Sequence, residues 1–204
     1  MALQNYARQK NALSLLDVFR LEDYARALNT CARGLDGAWS GNSDKQLLFQ
    51  AIQRQLADIN KLRQNMNWVQ KAAQFLLDKM NELGELTGFA QPWIPNLADI
   101  AFAGGGGSST RIKMNTGAVR GCGDALNAKR GCLSDCQSDL NRALQTVDSM
   151  LLGMWDIGGS LRGAQSSMDC LLARHDRIVA VLRQTAEVYE AADRRIDKRN
   201  WYCC

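Results

Sequence analysis

Apolar residues recur at steps of three and four positions along four long stretches of this chain. The stretches run from about Tyr6 to Leu35, from Leu48 to Leu83, from Val119 to Met150 and from Leu161 to Ile196. Steps of three and four place side chains on one face of an α-helix. The second stretch alternates four-residue and three-residue steps with a single polar exception, which is typical of helices that pack along a seam. The pattern therefore predicts four long helical arms.

Two breaks divide the arms into pairs. The first break, Gly34–Lys45, contains three glycines, which weaken a helix, and Ser43 with Gln46 three residues later fits the capping box that opens the next helix. We expect Trp39, in the same break, to plug the end of the interface between the two arms. The second break is Leu151–Ser160. Each break is interpreted as the elbow of a helix–elbow–helix hairpin.

Each hairpin alone would leave an apolar face in contact with water. Large apolar residues lie off the seam of the second arm and widen its apolar surface, so this arm is expected to pack against more than one neighbour. These residues are Phe49, Leu56, Trp68, Phe75 and Leu77. The expected architecture is all-α, with two antiparallel helical hairpins packed as a four-helix bundle. The five off-seam residues are the candidate surface for a protein partner.

A connector separates the two hairpins. We place the first hairpin at residues 1–88, the connector at 89–111 and the second hairpin at 112–204. Both prolines of the chain lie in the connector, where they favour extended backbone. The connector also contains Gly104–Ser109, four glycines followed by two serines, which is typical of a flexible linker. Both a natural linker and an engineered joint between two fused proteins fit this segment.

Charge and hydropathy argue against several classes of partner. The 204-residue chain carries 25 basic and 21 acidic residues, and the net charge of +4 is too small to predict a nucleic-acid partner. Apolar runs are only a few residues long, so we expect no stable insertion into a membrane. The first residues lack a basic segment followed by an apolar one, so no general secretory signal peptide is expected.

The cysteines and the single histidine do not form a recognisable reactive or metal-binding pattern. With a turn near Gly158, no cysteine of the second hairpin faces another, so we expect buried or free thiols in a reducing compartment. Cys132 and Cys136 lack a second pair of ligands, and no metal site is predicted. His175 lies on the seam of the last arm, where we expect a core histidine with a hydrogen-bond partner. We predict neither an enzyme nor a cofactor.

Two short motifs resemble those of a known family. The first elbow carries Trp39 and Gly41 as a Trp-x-Gly triplet, and the last arm ends with a Tyr-x-x-x-Asp pattern at Tyr189 and Asp193. With long helical arms on either side, the chain resembles the WXG family, the helical-hairpin proteins of the type VII (ESX) secretion pathway. In the second elbow, Trp155 and Gly158 form a Trp-x-x-Gly pattern and not Trp-x-Gly, so the role of Trp39 is not assigned to Trp155.

The resemblance implies a function in protein export. In the WXG family, paired hairpins present the elbow of one partner and the tyrosine motif of the other as a composite export signal, here Trp39, Gly41, Tyr189 and Asp193. The implied protein is a heterodimer-type targeting factor or chaperone that binds a helical segment of a secreted toxin or effector and meets the secretion ATPase. It would leave the bacterial cytoplasm for the cell envelope or the exterior without a signal peptide. The alternative is a helical adaptor or structural protein with no export role, in which Trp39 and Tyr189 only pack.

Overall fold

The computed structural model describes residues 3–40, 43–82, 85–97 and 113–201, and these residues are mostly helical. Its helices are α1 (Leu3–Ser14), α2 (Phe19–Ala38), α3 (Ser43–Glu82), α4 (Thr116–Ala128), α5 (Arg130–Thr146), α6 (Ser149–Gly153) and α7 (Ile157–Trp201). The short strands β1 (Trp39–Ser40) and β2 (Lys113–Met114) form one antiparallel pair, which the sequence pattern did not predict. The predicted all-α class is confirmed. Gly41 and the Gly104–Ser109 segment lie outside the described residues.

The first arm consists of two helices, whereas the apolar pattern predicted one. α1 ends at Ser14 and α2 begins at Phe19. Between them, the Asp17 carboxylate accepts a hydrogen bond from the backbone N–H of Phe19 at 2.8 Å. A local bond of this kind competes with the helical hydrogen bonds of the backbone. Leu13 and Leu16, at the break, are both fully buried, so the interruption leaves the apolar face of the arm intact.

The third arm divides at Lys129. This exposed residue has a φ of −94° and a ψ of 1°, which ends α4 and precedes α5. The second elbow contains α6 and a turn at Met154–Asp156, where the backbone of Trp155 departs from helical geometry. A Cβ atom on Gly158, in the first turn of α7, would lie 3.0 Å from the backbone oxygen of Leu152. Glycine at this position therefore allows α6 and α7 to approach closely.

Polar pairs show the relative direction of neighbouring arms. Along the contact of α7 with α4 and α5, residue numbers increase on α4 and α5 while those of their partners on α7 decrease. The pairs are Arg120–Glu190, Asp124–Arg183, Arg130–Asp176, Gln137–Asp169 and Asn141–Gln165. These arms are therefore antiparallel, as predicted for the second hairpin.

The two halves of the chain also run antiparallel where they meet. α3 packs on α7, α2 packs on α4 and α5, and α1 packs on α5. The polar pairs are Asp58–Arg174 and Asn65–Ser160 between α3 and α7, and Gln9–Asp148 and Arg20–Asp139 between the first arm and the second hairpin. Buried apolar residues of all four arms belong to one cluster. Each large apolar side chain that is fully buried there contributes about 1.5–3 kcal/mol.

Residues 85–97 follow the surface of α3. The Asn60 side chain donates to the Leu97 carbonyl at 3.2 Å and accepts from its backbone N–H at 2.9 Å. Nearer the end of α3, the ring of Phe89 packs on that of Phe75, with 5.4 Å between centroids. This part of the connector is thus held against the helix.

Within the described residues, no helix is both long and apolar enough to cross a membrane. Over the same part of the chain, no three His, Cys, Asp or Glu side chains converge in an arrangement suited to a metal ion.

Candidate functional site

The first elbow is bound to the beginning of the second hairpin. Trp39 pairs with Met114 and Ser40 pairs with Lys113 in the antiparallel strand pair. Beside it, the backbone N–H of Asn115 donates to the Ala38 carbonyl at 2.8 Å. These backbone contacts bring together residues that lie more than seventy positions apart in the chain. They hold the elbow at the start of α4.

The side chain of Trp39 is buried. Only 1% of the residue is exposed, and it belongs to the main apolar cluster. Its indole N–H has no hydrogen-bond partner within the described residues. Trp39 is therefore part of the buried core, and a partner protein would meet the exposed Ser40 instead of the indole ring.

The part of α7 around Glu190 lies beside the first turns of α4. The Asn115 side chain accepts from the Ala118 N–H at 3.0 Å, which caps α4. One turn later, Arg120 donates to the Glu190 carboxylate at 2.9 Å. Since Glu190 follows Tyr189 directly, the tyrosine motif and the first elbow occupy the same end of the molecule.

Tyr189 and Asp193 differ in exposure. Tyr189 is half-buried and Asp193 is exposed. Within the described part of the chain, neither side chain forms a hydrogen bond or an ion pair. Residues four apart on a helix lie on nearly the same side, so both side chains extend from one side of α7. Among the described residues, neither Tyr189 nor Asp193 forms a hydrogen bond or a ring contact with Trp39.

The proposed partner surface on α3 needs correction. Phe49, Leu56 and Leu77 are 7%, 1% and 0% exposed, because other helices of the same chain pack against them. They therefore cannot serve as an open docking surface in this fold. Trp68 and Phe75 remain half-buried at the surface.

An aromatic cleft lies at the opposite end from the first elbow. Trp155 stacks on Phe75, with 6.1 Å between centroids and 12° between ring planes, and Phe89 lies 5.3 Å from Trp155. The cleft has a volume of about 370 Å³ and is lined by Trp68, Leu86, Gly88, Phe89, Gln91 and Trp155. Sequence reasoning missed Trp155 and Phe89 as members of this site. Their only signal was a large aromatic residue in an elbow and another in a connector.

Trp155 is held in the cleft by an unusual backbone. Trp155 and Asp156 have positive φ angles of 49° and 54°. A left-handed conformation costs roughly 1–2 kcal/mol for a residue other than glycine. The turn thus holds an indole ring against α3 at 41% exposure.

A buried polar cluster joins the two hairpins between these ends. The Tyr24 hydroxyl and His175 Nδ1 are 2.9 Å apart, and Gln55 Nε2 donates to the Tyr24 hydroxyl at 3.3 Å and to the Leu171 carbonyl at 2.8 Å. Burial lowers the pKa of His175 and raises the pKa of Tyr24, so both side chains are neutral near pH 7. The predicted core histidine with a hydrogen-bond partner is confirmed.

Comparison of the chain with protein-family models, with curated proteins and with solved structures found no match.

Proposed function

We propose that this chain is a non-enzymatic partner of a type VII (ESX) secretion pathway. In this proposal, two WXG-like hairpins form a four-helix bundle and present a composite export signal. The observation that carries it is the join between the first elbow and the start of α4, beside the Glu190 region of α7. That join supports the pairing of one hairpin's elbow with the other hairpin's tail, which the family resemblance implies.

The contacts between helices support the four-helix bundle. The first arm and α3 each meet an arm of the second hairpin in the antiparallel direction. With the arms of each hairpin also antiparallel, every arm has two antiparallel neighbours, which is the up-and-down arrangement of a bundle. The apolar faces that a lone hairpin would expose are buried between the pairs.

The recognition chemistry is assigned to the exposed part of the signal. Tyr189 and Asp193 supply a hydroxyl, an aromatic edge and a carboxylate on one side of α7. Aromatic residues with a polar tip are common anchors in protein interfaces. The buried Trp39 acts by fixing the elbow against the second hairpin, and a secretion ATPase would read the combined surface. Gly41 keeps its predicted place in the signal and lies outside the described residues.

The cargo in this proposal is an apolar helical segment of a secreted toxin or effector. Of the five off-seam residues, Trp68 and Phe75 are partly exposed and would contact such a segment. Exposed apolar side chains lie in the same region of the chain, including Leu86 at 43% and Trp93 at 74%. Aromatic anchors of this kind are frequent at the centres of protein interfaces. The chain would carry its cargo from the bacterial cytoplasm to the envelope or the exterior.

Export of the full chain from a bacterium with an active type VII system tests the proposal. Tyr189→Ala and Asp193→Ala are compared with Glu187→Ala, a matched control at an exposed position on the same helix. We expect the first two variants to lose export by at least about tenfold, which corresponds to about 1.4 kcal/mol of lost binding, and the control to export like the wild type. Circular dichroism must show equal helix content in all four proteins.

Two further outcomes decide between the export role and the alternative. Trp39→Phe keeps an aromatic plug and is expected to retain export, because the indole ring is buried. Export of Tyr189→Ala and Asp193→Ala at the wild-type level, or no export of the wild type, would contradict the proposal. Either result would favour a helical adaptor that binds partners without an export role.

A further inference from the structure

Two cysteines meet across the interface between the hairpins. Cys31 on α2 is 4% exposed, and Cys122 on α4 is half-buried. The Cys122 thiol lies 3.7 Å from the carbonyl oxygen of Cys31 and donates to it. It also lies over Gly34, where an added Cβ atom would come within 3.3 Å of the sulfur. The expectation that no cysteine faces another is therefore wrong, because it compared only cysteines within the second hairpin.

The two thiols are chemically unequal. The contact between the two thiols lowers the pKa of Cys122 and raises that of Cys31, and the deeper burial of Cys31 raises its pKa further. Of the two, Cys122 is therefore the thiol that more readily becomes a thiolate, the form that attacks disulfides. Cys122 is also the more exposed of the two. In contrast, burial raises the pKa of Cys136 to about 12, so that thiol stays protonated.

We propose that Cys31 and Cys122 form a thiol–disulfide exchange site whose substrate is a low-molecular-weight disulfide and whose product is a covalent bond between the hairpins. The Cys122 thiolate attacks one sulfur of the disulfide RSSR, forms a mixed disulfide and releases RS⁻. The Cys31 thiol gives its proton to the released RS⁻ or to water, and its sulfur then attacks Sγ of Cys122. A second RS⁻ leaves. The protein loses two electrons and two protons, and RSSR is reduced to two RSH.

Closure of this bond changes the stability of the whole chain. The two cysteines are 91 positions apart, so the bond closes a long loop and restricts the unfolded state. A reducing compartment keeps the pair as thiols, and an oxidising one favours the bond. The bond would hold the hairpins together whether or not the chain is exported. The inference is therefore independent of the proposed function.

The test uses the full-length reduced chain and oxidised glutathione at pH 7.5. After free thiols are alkylated, trypsin releases residues 27–33 and 121–129 as the peptides that contain Cys31 and Cys122. We expect these two peptides to be linked in the wild type and in the matched control Cys170→Ser, which removes an exposed cysteine. The oxidised chain should unfold at a higher urea concentration than the reduced chain.

A second variant separates the two steps. Cys31→Ala removes the resolving thiol, so we expect it to accumulate the glutathione adduct of Cys122. The proposal is overturned if the wild type accumulates that adduct without linking the two peptides. It is also overturned if glutathione modifies Cys170 and leaves Cys122 unmodified in both the wild type and Cys31→Ala.

Discussion

Replacing Tyr24 with phenylalanine removes one oxygen atom from the contact that joins the two hairpins. That oxygen lies 2.9 Å from His175 Nδ1 and accepts from Gln55 at 3.3 Å. Gln55 keeps its 2.8 Å bond to the Leu171 carbonyl after the substitution. His175 Nε2 already lacks a partner within the described residues, so neither ring nitrogen would then have one. The histidine therefore bears most of the cost.

The expected loss of stability follows from that count. A buried polar group left without its partner costs about 1–3 kcal/mol. With an m-value of roughly 2 kcal/mol/M, Tyr24→Phe should lower the urea midpoint by roughly 0.5–1.5 M. The measurement is urea unfolding followed by circular dichroism. The matched control is Tyr6→Phe, which removes a hydroxyl that donates to the Asp78 carboxylate within the first hairpin. Asp78 keeps its ion pair with Lys10 and its access to water, so this variant should lose less stability than Tyr24→Phe.

A double-mutant cycle shows whether the two hairpins meet at this point. Because Tyr24 lies on α2 and His175 lies on α7, we expect Tyr24→Phe and His175→Leu to be coupled by about 1 kcal/mol or more. The double variant should be more stable than the sum of the single losses, since no buried nitrogen is then unpaired. Additivity within about 0.5 kcal/mol would refute the contact.

Three further predictions concern the pH dependence of stability, the second elbow and a buried ion pair. Burial lowers the pKa of His175 in the folded chain below 6.5, the value of an exposed histidine in the unfolded chain. Below pH 6.5 the unfolded chain binds a proton that the folded chain does not, so the free energy of unfolding should fall as the pH drops, and it should stay constant above pH 6.5. Urea midpoints measured between about pH 5 and 7.5 check this. Gly158→Ala should destabilise the chain by about 1–3 kcal/mol through its contact with the preceding turn, whereas Gly163→Ala, at an open helical position, should stabilise it by up to about 1 kcal/mol, both measured by thermal unfolding. Glu22→Gln removes the negative charge that pairs with the buried Arg63 and should cost about 3–5 kcal/mol. Asp23→Asn removes the charge from the exposed pair between Arg26 and Asp23 and should cost less than about 1 kcal/mol. Urea unfolding measures both.

Each of these three predictions has a clear contrary result. A stability that does not fall between pH 6.5 and 5, or falls equally in His175→Leu, would contradict the pH prediction. Equal effects of alanine at Gly158 and Gly163 would mean that the second elbow does not pack tightly. Equally small losses of stability in Glu22→Gln and Asp23→Asn would mean that Arg63, the partner of Glu22, is exposed to solvent. That result would contradict the 3% exposure of the Arg63 side chain.

The seam of α3 was predictable because its apolar period continues through the whole helix. Leu48, Ile52, Ile59 and Met66 follow the period, and all are buried. The break near Asp17 was not predictable in the same way. The apolar positions continue on both sides of it, and the competing side-chain bond leaves the period unchanged.

The site was only partly predictable, because periodicity identifies a face of a helix and not its neighbours. Phe49 and Leu77 are off the seam as predicted, yet other helices of the same chain cover them. The contact between Cys31 and Cys122 depends on how the two hairpins pack, which neither hairpin's own sequence specifies. Trp155 lies in its cleft because Trp155 and Asp156 adopt left-handed backbone conformations, and since neither residue is glycine, the sequence gives no sign of this turn. These features follow from tertiary packing.

A photo-crosslinking amino acid at Ser40 measures most directly whether the first elbow and the tail of α7 form one surface. Ser40 is exposed, and the parts of α7 near Ile157 and near Tyr189 are about 50 Å apart at 1.5 Å per residue. Crosslinked peptides from the full chain are mapped by mass spectrometry. We predict crosslinks to the start of α4 and to the Tyr189–Asp193 region. Crosslinks to the second elbow at residues 150–156, with none to the tail, would contradict the composite signal.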